Sequence, residues 1–184
     1  MTRLGVVCLL LITATAIAQT NKRESLSDLE IEKVRDAALL PDVRLKLYTE
    51  FARTRLDKLQ QAKADTKAAD REDRMRDALQ DFIAIYDELG DNVDTFADRG
   101  DDIRNALKPV IEADTEFGSK LRAFKTSLAS GSRVDAEKYD FLANTALLAV
   151  DDGAKDHRDL LAEQEVKFKN KKATAHKDEK SRGE

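Results

Sequence analysis

The chain has 184 residues, 37% of them charged and only 5% aromatic, with a formal net charge of -4, two prolines and no tryptophan. Such a composition, dominated by helix formers, argues against a β architecture and for a helical bundle, and the chain is long enough to bury a core as one domain. A single cysteine leaves no intramolecular disulfide to hold it.

The N-terminus has the three-part pattern of a signal peptide over residues 1–18. Met1 to Arg3 give a short cationic start, Leu4 to Ala14 an almost wholly apolar run, and Ala16-Ile17-Ala18 the small-x-small site of a signal peptidase. The run falls well short of the roughly 20 residues that cross a bilayer as a helix, so no transmembrane segment is expected in the mature chain. Val7 stands before Cys8 where a lipoprotein site has a small residue, so lipidation is not expected. Cleavage leaves Gln19 first and removes the only cysteine. The pattern points to an exported protein, periplasmic or secreted, of bacterial type.

Residues 19–25 are polar and expected to be disordered. Ser27 and Glu30 have the spacing of a capping box ahead of Leu29, Ile31 and Val34, which predicts a short helix to about Leu39. Pro41 ends it and suits the first position of the next helix. That second helix reads to about Ala64, with Leu45, Tyr48, Ala52, Leu56 and Leu59 on one face and Phe51 at its flank. Arg44, Lys46, Arg53, Arg55 and Lys58 are assigned to the other face. A register change places a turn between Ala62 and Met75.

From Met75 to Leu128 apolar residues recur every 3.5 residues on average, interrupted only by Gly100 and Asp114. This is the seam of a bundle or coiled coil. One unbroken helix over this stretch would span roughly 80 Å, too long for a compact chain of this size, so a turn is expected at Gly100, with Asp101 or Asp102 capping the helix after it. Gly90 is the competing break, and one continuous helix in an extended oligomer is the other alternative. Pro109 predicts a kink with the Asn105 carbonyl left unbonded. Ala129 to Ser132 read as a linker, and Ser132 with Asp135 as the cap of a last helix to about Asn170. Its seam holds Leu147, Val150, Ala154, His157, Leu161 and Phe168. Residues 171–184 are expected to form a disordered basic tail. The fold expected is therefore all-α: an antiparallel bundle of about four long helices plus a short N-terminal one, over residues 26–170.

The sequence supplies no catalytic, cofactor-binding or metal-ligating constellation. Ferritin-like sites need a Glu three residues before an inward His, whereas Ala154 precedes His157 and the other histidine, His176, lies in the tail. Eight carboxylates against Arg99 alone fill Asp81 to Asp102, but no register supplies the oxygen ligands and glycine of an EF-hand. A solvated acidic face is the expectation. The opposite asymmetry lies at the C-terminus, where Lys167, Lys169, Lys171, Lys172, Lys177, Lys180 and Arg182 form a candidate anion-binding patch. Only Phe168 is available there to stack on a base, so specific nucleic-acid binding is not expected. These features lead to a non-enzymatic bundle with a structural or protein-interaction role in the cell envelope, acting on a protein partner or by self-association. The alternative is a polyanion- or anionic-surface-binding module working through the basic end.

Overall fold

A computed structural model describes residues 24–130 and 133–182, with side chains over 24–130 and 137–169. The leader pattern, Gln19 and the proposed cap at Ser132 and Asp135 lie outside the residues whose side chains are described. The described residues form five helices: α1 (Asp28–Asp36), α2 (Pro41–Ala64), α3 (Arg71–Asp98), α4 (Arg104–Ala129) and α5 (Arg133–Arg182). Among the described residues there is no strand. The expected all-α bundle of four long helices and one short one is what forms.

Local chemistry sets the first boundaries. The Ser27 side chain accepts from the Glu30 N–H while the Glu30 carboxylate accepts from the Ser27 N–H at 2.8 Å, closing the capping box. Helix α1 stops at Asp36, three residues short of the expected Leu39. The Val34 carbonyl accepts instead from Arg44 of α2 at 2.8 Å, which draws the end of α1 across the start of α2. Pro41 occupies the first turn of α2, where its missing N–H costs nothing. The polar stretch expected to lack structure through Ser25 is held at its last residue, whose carbonyl accepts from Arg55 at 2.6 Å.

The turn at Gly100 is confirmed, with φ of +80°. The Gly100 N–H donates to the Ala97 carbonyl and the Asp101 N–H to the Phe96 carbonyl, the paired bonds of a Schellman ending. Gly90 lies inside α3, and α4 continues on both sides of Pro109. The expected cap by Asp102 forms, its Oδ1 accepting from the Arg104 N–H at 3.4 Å, and a second cap comes from another helix. Gln164 of α5 accepts from the Ile103 N–H at 3.0 Å and donates to the Asp101 carbonyl at 3.1 Å. The same Asp102 carboxylate also pairs with the Arg104 guanidinium at 2.7 Å.

Consecutive helices alternate in direction, yet the two arms on either side of Gly100 are not neighbours. Helix α3 packs on α2 and α5, and α4 packs on α5 and α2, so α3 and α4 occupy opposite corners of a four-helix square. Their seams meet only through side chains across its centre. There Phe82 and Phe117 lie edge to face at 5.5 Å, and Tyr86 stacks beside Phe82 at 5.8 Å. The neighbouring pair α2 and α4 run parallel, joined by Arg53 to Glu116 at 3.0 Å and Lys120 to Asp57 at 2.8 Å.

Helix α5 carries on to Arg182, past the end expected near Asn170. Its 50 residues correspond to about 75 Å, roughly twice the length of α4. The extension has a local cause: Lys171 to Arg182 contain neither Gly nor Pro and are mostly good helix formers. Among the residues of α5 whose side chains are described, the buried ones begin at Tyr139 and end at Gln164.

Candidate functional site: a buried polar triad and an acidic groove

Two positions that break the apolar seams come together. Asp114 of α4 and His157 of α5 are 2% and 3% exposed, and the Asp114 Oδ2 lies 2.9 Å from His157 Nδ1. The other oxygen, Oδ1, accepts from the Tyr86 hydroxyl of α3 at 2.7 Å. Because a carboxylate oxygen accepts, this geometry selects the tautomer with the proton on Nδ1. Burial, then the charge of Asp114, pushes the Tyr86 phenol far above its usual range and keeps it a donor. Gly153 makes the approach feasible, since a Cβ there would stand 2.6 Å from the Tyr86 hydroxyl. The phase of the sequence places His157 on the inner face, and it is there. What sequence reasoning missed was the partner, although Asp114 interrupts its own seam in phase. Two in-phase polar residues on antiparallel helices were the available signal.

An Asp-His pair can move protons, but this one sits inside the bundle, and both carboxylate oxygens are taken up by the protein's own groups. Its chemistry is that of a satisfied core network joining α3, α4 and α5.

A second buried ionic site corrects the assignment of Arg55 to the polar face of α2. Arg55 is 4% exposed and grips Glu30 of α1 through two nitrogens, at 2.8 and 2.6 Å, with Asp81 of α3 3.9 Å from its Nε. Burial alone would raise the Glu30 carboxyl. Hydrogen bonds from Arg55 and Ser27, with the guanidinium's charge, outweigh burial and hold the carboxyl down at about 2. This clamp fixes α1 and the segment before it on the bundle.

Beside that segment lies a groove of about 800 Å³ between α1, α2, α3 and α5. Its apolar floor includes Ile31, Val34, Ile83 and Leu142, and its rim carries Glu24, Asp87, Glu88 and Asp91; among the described lining residues there is no cation. Burial, then the neighbouring Asp91, raises the Asp87 carboxyl. Thr145 is shared with a second cleft lined by Phe141 and Leu148, which are 77% and 63% exposed. The solvated acidic face expected between Asp81 and Asp102 is present at Asp87, Asp91, Asp94 and Asp98, all exposed on α3.

At the C-terminal end, Lys167 and Lys169 are exposed on α5, and the Phe168 ring has the cations of Arg104 and Lys167 at 5.1 and 5.6 Å from its centre. The side chains of Lys171, Lys172, Lys177, Lys180 and Arg182 lie outside the described residues. Among the described residues there is no group of three or more His, Cys, Asp or Glu placed to hold a metal ion, and no helix long and apolar enough to cross a membrane. Comparison with known proteins returns no family model, no curated protein and no solved structure that matches the chain.

Proposed function

We propose that this chain is an exported, non-enzymatic helical-bundle protein with a structural or protein-interaction role in the cell envelope. The observation that carries the reading is the placement of Phe141 and Leu148, large apolar side chains left exposed on α5 beside an acidic, apolar-floored groove. Exposed apolar patches of this kind mark interaction sites. Export is supported by the leader pattern of residues 1–18, and intact-mass analysis of the native protein should find Gln19 as its first residue. A mass that includes residues 1–18 would contradict export.

The second reading places function in the basic end of α5, favoured by the exposed Lys167 and Lys169 and by the helix running on through the lysines to Arg182. The two readings separate on deletion of residues 171–184. Capture of an envelope partner should survive the deletion, tolerate high salt and fail with Phe141→Ser. Loss of binding on deletion, with steep weakening as salt rises, would transfer the function to the basic end, because contacts to a charged surface are screened over about 8 Å at physiological ionic strength.

A further inference from the structure

Resting on the interaction role just proposed, the groove specifies the chemistry of what it receives. We propose that it docks an amphipathic, cationic helix of a partner protein, with the apolar face on Ile83, Leu142 and Phe141 and the lysines or arginines against Asp87, Glu88 and Asp91.

Three features of the surface converge on that occupant. The floor is apolar while the rim holds four carboxylates, so a ligand must bring both an apolar face and positive charge. Asp87 and Asp91 stand one turn apart on α3 at this rim, and burial, then the charge of Asp91, raises the Asp87 carboxyl, so a cation placed there would be favoured. The apolar surface is also long enough for a helix: Phe141 and Leu148, two turns apart on α5 or about 10.5 Å, extend it beside the groove in the cleft that shares Thr145. An anionic membrane or polyanion would be repelled by the same rim.

The occupant is another protein rather than this one. The chain's own cationic stretch, Lys171 to Arg182, has no apolar stripe to lay on the floor. Lys22 and Arg23, next to the groove in sequence, follow only polar residues back to Gln19.

The test uses a fluorophore-labelled 18-residue peptide with leucines at helical spacing and lysines elsewhere, together with a scrambled isomer that cannot form an apolar face and a version with glutamate for lysine. Fluorescence anisotropy against the full chain at physiological salt should give at least tenfold tighter binding for the amphipathic cationic peptide than for either control. The Asp87→Lys/Asp91→Lys variant, and separately Phe141→Ser, should weaken it at least tenfold while circular dichroism stays unchanged; all these positions are exposed, so folding is spared. Equal binding of the scrambled peptide, or binding that ignores both variants, overturns the proposal. A concentration-dependent dimer of the peptide-free chain that both variants dissolve would overturn it in favour of a second copy in the groove. If the peptide shows no preference while a photoreactive phenylalanine introduced at Leu148 still cross-links an envelope partner, the cationic helix is wrong and the interaction role stands. Failure of both measurements removes the role as well.

Discussion

At the scale of single residues the bundle is organised by polar groups that its apolar seams had to admit. Asp114 holds both Tyr86 and His157, so replacing it leaves a buried hydroxyl and a buried imidazole without an acceptor. Asp114→Ala should cost about 3 kcal/mol, the range for breaking a buried paired group, and lower Tm by roughly 6–12 °C for a chain of this size. The double variant Asp114→Leu/His157→Leu should cost less than the sum of the two single changes, because the pair then leaves together. Strict additivity in denaturant melts would show that the two side chains do not interact. Glu30 gives a pH-dependent counterpart. Its folded value of about 2 lies below the free value of 4.5, so its contribution is complete above pH 4.5 and is lost as pH falls towards 2. The Tm difference between the native chain and Glu30→Gln should therefore be largest near neutral pH and shrink as melts are repeated at lower pH. A difference that persists unchanged at pH 2 would deny the clamp to Arg55.

At the scale of elements, much of the architecture was legible in the sequence. The capping box, Pro41, the 3.5-residue seam and Gly100 are local signals, and local signals mark element boundaries well. The reach of α5 was not legible, because an absence of apolar residues after Phe168 resembles an absence of structure when no Gly or Pro marks the end. Compactness excludes a rod of roughly 80 Å from the centre of the chain, yet α5 reaches about 75 Å by running past the bundle it packs on. The diagonal placement of α3 and α4, the burial of Arg55 and the cap from Gln164 were illegible for a different reason: each depends on which helices become neighbours, and a periodic seam is silent on that. Deleting residues 171–184 should reduce helical ellipticity by about the share contributed by residues 171–182, yet leave Tm within about 1 °C, since the segment carries no large apolar side chain to bury. A fall of several degrees would show that the basic end packs on the bundle.

At the scale of the whole molecule, the candidate site divides along the same line. The acidic segment and the basic end are compositional and were visible in the sequence. The groove was not, because its floor is assembled from α1, α3 and α5 and its apolar extension from Phe141 and Leu148, which read as scattered hydrophobics along a charged helix. The proposed working surface is that face, and neither the buried triad nor the basic end. Its most direct test is photo-cross-linking in the native envelope, with a photoreactive phenylalanine introduced in turn at Leu148, at the exposed Lys58 of α2 and at Lys171. A discrete adduct is expected from position 148, abolished by Asp87→Lys/Asp91→Lys, and none from positions 58 or 171. Adducts from position 171 with none from 148, or equal labelling at all three positions, would contradict it.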